Sequence, residues 1–203
     1  MKLGIGFLKL ARNPENTPAV FDISDSLLAL GALTGAKAKF AKDPEALQII
    51  RERKLIFPFH LDELVRMPEG SLGRTYAEHM ISQKLDPNFF RNIEIKNDAA
   101  FVAMRMRQTH DLWHVVTGFQ TSVPGELGLQ AFVAAQTSLP LAPILISGAL
   151  LKVGVRNSIL LEPIMNEIVR GWQMGLKSKP LFSFDWEANW QTPVSKIREQ
   201  HLL

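Results

Sequence analysis

The segment His110-Asp111-Leu112-Trp113-His114 places two imidazoles four residues apart, and Glu126 lies twelve residues after His114. In a helix each residue advances by 100°. With His110 as the origin, His114 falls at about 40°, Arg107 at about 60° and Asp111 at about 100°. Two imidazoles, a carboxylate and a guanidinium therefore share one face. Residues at i and i+4 are neighbours, so the two ring nitrogens can converge on one ion. This is why His-x-x-x-His recurs on metal-binding helices. Asp111 can add an oxygen from the side. A turn at Pro124-Gly125 can swing Glu126 back as a fourth ligand. Two neutral imidazoles and two carboxylates neutralise a divalent cation and leave room for water or substrate. Mixed nitrogen and oxygen ligation suits Zn²⁺ best, and also admits Fe²⁺, Mn²⁺ or Mg²⁺. The chain has no cysteine, which excludes disulfides, thiolate metal sites and Cys nucleophiles together.

The plainer alternative is a pair of satisfied helix histidines with surface carboxylates. Two better-known motifs also lie close. In H-E-x-x-H metalloproteases the second residue is the general base, and here that position is Asp111, one methylene shorter. HD-type phosphohydrolases use an adjacent His-Asp pair but need further ligands from other helices. His60 and His79 are the histidines available for that role, although their spacing does not demand it.

The elements that must position these residues read as helices. Strand-like alternation is scarce. Residues 19–40 read as one helix with Ser24 or Asp25 as a cap. Asp43-Pro44-Glu45 is a helix start, with Pro at the first helical position. Pro58 and Met67-Pro68-Glu69-Gly70 punctuate the next stretch, and residues 71–84 form a short helix. Asp98 is expected to cap the metal helix, which runs to a stop at Gly118. A second helix opens at or near Glu126, residues 152–176 give one more amphipathic stretch, and Pro193 starts a terminal helix. The expectation is an all-α protein, a single domain over 1–203. It is an irregular bundle of about seven helices with the metal site on a central helix and the metal-site region spanning 98–126.

Length and composition agree with this. The 203 residues are 46% hydrophobic and 21% charged, which excludes wholesale disorder. Lys plus Arg is 23 and Asp plus Glu is 20, a net charge of +3. That excess is too small for a dedicated nucleic-acid footprint. Lys9 and Arg12 interrupt the N-terminus before an apolar signal core forms, so a cytoplasmic compartment is expected. Leu127 to Leu151 carries no charge. A lipid-exposed span would strand Gln130, Gln136, Thr137 and Ser138 away from water. Two core helices joined at 138–143 are expected instead, with an apolar surface able to meet a lipid chain. Arg51, Arg53 and Lys54 read as a solvated face, Tyr76 as a packed core residue, and Trp186 and Trp190 as tail packing.

The chain resembles the ubiquinone biosynthesis family of coenzyme Q protein 4. His110, Asp111, His114 and Glu126 match the family signature H-D-x-x-H-x11-E at full spacing. Supporting pieces are RMRQTHDLWHVVTGFQTSVPGE, QAFVAAQTSLPLA, GSLGRTYAEHM followed by LDPN, and DWEANWQTPVSKIRE. His79 and Asn88-Phe89-Phe90 depart from the pattern. The resemblance implies an all-α metalloprotein whose metal ligands are His110, Asp111, His114 and Glu126. It implies action at ring carbon 1 of a polyprenylated 4-hydroxybenzoate, where the carboxyl group is removed and a hydroxyl placed. Arg107 would hold the substrate anion, or else pair with Asp111. The apolar stretch 127–151 would shelter the prenyl tail. Expected partners are a prenyl lipid, other quinone biosynthesis proteins, a second copy in a homodimer, and the inner face of a membrane as a peripheral surface. A non-catalytic prenyl-lipid scaffold is the alternative.

Overall fold

The computed structural model describes residues 17–32, 34–56 and 59–203. The N-terminal segment with Lys9 and Arg12, and Pro58, lie outside the described residues. Ten α-helices occur among those described: α1 Thr17–Ala29, α2 Thr34–Phe40, α3 Pro44–Glu52, α4 Leu61–Leu64, α5 Leu72–Ser82, α6 Asp98–Thr117, α7 Val123–Thr137, α8 Leu141–Arg156, α9 Leu161–Lys177 and α10 Val194–His201. Short 3-10 turns occupy Ser158–Leu160 and Glu187–Asn189. The only extended pairing among the described residues is an isolated bridge, Ser71 to Pro193. The expected all-α class holds.

Several boundaries differ from the sequence reading, each for a local reason. The helix expected over 19–40 is two helices, because Gly31 turns left-handed at φ 66° after Ala29. Ser24 and Asp25 therefore lie inside α1 rather than at its start, and Ser26 Oγ donates back to the Asp22 carbonyl at 2.7 Å. The stretch 152–176 is likewise divided. The non-helical backbone of Asn157, at φ −156° and ψ 71°, ends α8 before α9 begins. The cap of α6 is Asn97, whose side chain accepts from the Ala100 amide at 2.9 Å, and Asp98 is the first helical residue.

The chain divides into two compact units, Met1–Pro44 with Gln120–Lys177, and Glu45–Phe119 with Ser178–Leu203. In the first, α7 packs on α9 and on α8, and α1 packs on α8. Small residues let α7 and α9 approach until backbones touch. A Cβ at Gly171 would run into the Gly128 carbonyl, and one at Gly175 would lie 2.8 Å from the Phe132 carbonyl oxygen. Gln136 Nε2 donates to the Gly175 carbonyl at 3.0 Å across the same seam. Leu127, Ala149, Val153 and Ile164 form one buried cluster, and Ile23, Leu27 and Leu145 another. The uncharged stretch 127–151 is thus two packed helices, separated where Ser138 turns left-handed at φ 55°.

In the second unit, α5 and α10 pack on α6. Phe101, Leu112, Trp113 and Val116 of α6 are fully buried, each contributing about 1.5–3 kcal/mol of apolar burial. Arg105 is buried with them. Its guanidinium donates to the Phe182, Lys54 and Phe184 carbonyls at 2.9, 2.8 and 2.9 Å. Burial lowers its pKa to about 10, which leaves it charged at neutral pH. Arg198 of α10 closes the other end of α6 by donating to the Val116 and Val115 carbonyls at 2.8 and 2.9 Å. These carbonyls belong to the last helical turn, which has no intrahelical donors left for them. Arg53 and Lys54 are bonded to Asp98 and Asp185 rather than freely solvated.

Candidate metal centre

His114 sits in the last turn of α6 and is 2% exposed. The turn after α6 sets its ring orientation. Gly118 takes φ 76°, a left-handed stop that glycine adopts without a Cβ penalty. The chain then folds back so that the Phe119 carbonyl lies 2.8 Å from His114 Nδ1. A carbonyl can only accept, so Nδ1 carries the hydrogen and Nε2 carries the lone pair. A backbone acceptor on one imidazole nitrogen is the usual way a metal-binding histidine is oriented and made basic.

His110, one turn earlier and half-buried, presents its ring edge-on to His114. The ring centroids are 4.9 Å apart and the planes meet at 89°. A metal–nitrogen bond of about 2.1 Å puts an imidazole centre about 3.2 Å from the ion, so two rings sharing one ion at a tetrahedral angle have centres about 5 Å apart. The observed spacing fits a shared divalent ion. His110, His114 and Glu126 form the group that could hold a metal, each offering one ligand atom. Glu126 lies in the first turn of α7. Ser122 caps that helix, and its carbonyl accepts from the Glu126 amide at 2.8 Å. Gly125 precedes Glu126 because the loop backbone crowds it: a Cβ there would run into the Gln120 carbonyl. The helix expected to open at Glu126 therefore opens three residues earlier, at Val123.

Asp111 is half-buried and stands outside that group. Its charge reaches Tyr76 of α5, whose phenol is pushed above its usual range by burial first and by Asp111 second. Tyr76 is a core residue, packed edge-on against Phe59 with centroids 5.5 Å apart. Arg107 donates to the Arg91 carbonyl at 2.6 Å, which ties its guanidinium to the segment leading into α6. His60 is exposed at the N-terminal boundary of α4, so it does not join the pair. His79 of α5 does approach it, with its ring near-parallel to His114 at 22° and 6.1 Å between centroids. Sequence reasoning passed over Arg105 and Arg198, and no spacing rule would have singled them out. A mid-helix arginine that caps distant carbonyls looks like any surface arginine in the one-dimensional sequence.

These residues define an all-α protein whose helices carry a group that could hold a metal: paired histidines one turn apart and a carboxylate. Comparison with known proteins narrows it. The family model described as coenzyme Q (ubiquinone) biosynthesis protein Coq4 matches residues 3–203. The rat protein named ubiquinone biosynthesis protein COQ4 homolog, mitochondrial, is 31% identical over 188 residues, covering 87% of this chain and 69% of that one. The human protein of the same name is 28% identical, with the same coverage. A crystal structure of a candidate ubiquinone biosynthesis protein from Nostoc punctiforme PCC 73102 superposes with a TM-score of 0.86 at 33% identity, covering 98% of this chain and 96% of that one. The chain belongs to the Coq4 family of ubiquinone biosynthesis proteins.

Proposed function

We propose that this protein is a metal-dependent enzyme acting at ring carbon 1 of a polyprenylated 4-hydroxybenzoate, removing the carboxyl group and admitting a hydroxyl at the same carbon. The observation that carries the reading is the His110–His114 pair at 4.9 Å, with the His114 tautomer fixed by the Phe119 carbonyl. His110, His114 and Glu126 hold the ion, and Asp111 supplies a second carboxylate beside them. A divalent ion held there would supply Lewis acidity to the substrate's carboxylate or phenolate oxygen. Zn²⁺ suits the donor set, and whichever ion is bound, replacing the carboxyl group by a hydroxyl needs an external oxidant to take up two electrons per turnover. Arg107, oriented by its bond to Arg91, holds the substrate anion as a charge-assisted donor. The helices of the 127–151 stretch shelter the prenyl tail, each buried CH₂ adding about 0.8 kcal/mol to binding. Incubating the metal-loaded protein with a prenylated 4-hydroxybenzoate and an oxidant, and measuring loss of the carboxyl carbon as CO₂, tests the reading. Metal-dependent release that His110→Ala abolishes supports it, and no release from loaded protein refutes it.

A second reading, a non-catalytic prenyl-lipid scaffold peripheral to a membrane and assembled with other quinone biosynthesis proteins or a second copy, has its own support. One face of α9 exposes Met165, Val169, Trp172 and Leu176 in a row, with Trp172 47% and Leu176 59% accessible. No helix among the described residues is long and apolar enough to cross a membrane, so any membrane contact of these helices is made from the surface. The curated relatives are named as mitochondrial proteins, which points to the same kind of compartment for this one. Lipid co-purifying with a protein that binds it but turns nothing over would favour the scaffold.

A further inference from the structure

We propose that the exposed face of α9 is where two copies of this chain meet, with α9 lying antiparallel on α9 of a second copy in a symmetric dimer. The inference names the partner of the apolar row on which the scaffold reading rests, and it is independent of the metal centre. Three observations carry it.

The first is the row itself. With Leu161 as origin, an advance of 100° per residue places Trp172 at about 20°, Met165 at about 40°, Leu176 at about 60° and Val169 at about 80°. All five are between 39% and 59% exposed. The adjoining arc of Ile164, Gly171 and Gly175 is buried, and there α9 is seated against the α7 backbone at Gly128 and Phe132. The helix therefore has two apolar faces side by side, and this chain covers only one. The second observation is spacing. Met165, Val169, Trp172 and Leu176 follow at intervals of four, three and four residues, the repeat that lets one helix set its side chains into the spaces of another. Trp172, in that row, is the kind of large rigid side chain that dominates protein interfaces.

The third observation is charge. The row is bordered on its open side by Glu162 at about 100°, Gln173 at about 120° and Asn166 at about 140°, one acid and two neutral amides. Helices that lie on a membrane surface carry Lys and Arg along such a border. Here Arg170 points away at about 180° and pairs with Glu167 at 2.6 Å. Amides donate and accept at once, so they can face their own copies across a two-fold axis. The two ends of the helix set its direction. Antiparallel pairing centred near Val169 brings Glu162 to Lys177 of the partner subunit, twice by symmetry, and Leu161 to Leu176 of the partner subunit. Parallel pairing would set glutamate on glutamate and lysine on lysine.

The test is the mass of the full chain by sedimentation equilibrium over a range of concentrations, for the wild type and three variants. The expected wild-type mass is twice the 22.8 kDa of one chain. Val169→Glu sets two like charges together at the axis and should weaken the dimer at least about 100-fold, with an unchanged circular dichroism spectrum because Val169 is on the surface. Glu162→Lys should weaken it about threefold or more at low salt, and Glu162→Lys with Lys177→Glu should return it to within about twofold of wild type. A dimer that Val169→Glu leaves intact is built on another face and overturns the inference. A double reversal that fails to restore what Glu162→Lys lost overturns the antiparallel arrangement. Monomeric wild type that floats with vesicles of phosphatidylcholine and phosphatidylserine overturns the dimer and leaves the membrane-facing scaffold standing. Monomeric wild type that ignores the vesicles overturns both. Should Val169→Glu fail to fold, the wild-type mass and the two end variants decide.

Discussion

Replacing Gly118 tests the coupling between the backbone and His114, the proposed metal ligand. Gly118 takes φ 76°, and a Cβ there would meet nothing closer than the Arg198 guanidinium at 3.5 Å. Gly118→Ala therefore has space and suffers only the left-handed penalty, about 1–2 kcal/mol. For a chain of this length that lowers Tm by about 2–8 °C. The larger expected effect is on metal binding. Relaxing φ toward the allowed region draws the Phe119 carbonyl away from its 2.8 Å contact with His114 Nδ1. His114 then no longer holds its lone pair on Nε2, and loss of such a support costs about 10–100-fold in metal affinity. Asparagine tolerates the left-handed region better than other side-chain-bearing residues, so Gly118→Asn should retain more of both stability and affinity. Chelator competition gives the affinity, and nitrogen-detected NMR of the His114 ring gives the tautomer. If Gly118→Ala binds metal as tightly as wild type while His114 changes tautomer, the backbone bond does not tune this ligand and the reasoning fails.

The packing and one half-buried histidine give three further outcomes. Arg105→Met leaves three buried carbonyls without a donor, at about 1 kcal/mol or more each, and should lower Tm by about 6–12 °C; a shift below about 2 °C would show that the clamp is dispensable. Gly171→Leu must force α7 and α9 apart at Gly128 and should abolish cooperative unfolding or cost at least about 3 kcal/mol by denaturant titration. His201 has a pKa lowered from its ordinary 6.5, by burial above all. The unfolded chain therefore binds a proton there before the folded chain does, and stability falls as pH drops below that value. His201→Phe should flatten the loss of Tm between about pH 7 and pH 5, and an unchanged slope would refute this assignment.

Much of α6 was legible in the sequence because its signals are local. Gly118 ends α6 as read, Pro44 opens α3 as read, and Pro193 precedes α10 as read. The pairing of His110 with His114 comes from helical periodicity alone. What sequence reading missed depends on choices between adjacent residues or on contacts far apart in the chain. Asn97 and Asp98 are both good caps, and only the bond to the Ala100 amide decides between them. Gly31 and Asn157 each break a stretch whose apolar periodicity continues through the break. The meeting of His79 with His114 and the clamp made by Arg105 are products of tertiary packing, invisible to any local pattern. Glu126 was found through its spacing from His114, and Pro124-Gly125, read as a turn, form part of the first turn of α7, but the Ser122 cap that sets its start was not found.

The measurement that bears most directly on the central claim is the metal content of the protein purified from cells, by native mass spectrometry with elemental analysis, for the wild type and His110→Ala. A metal centre on α6 requires one divalent ion per wild-type chain and none in a variant that keeps its helical spectrum. A folded wild-type protein with no bound metal, or a His110→Ala variant that retains the ion in full, would contradict it.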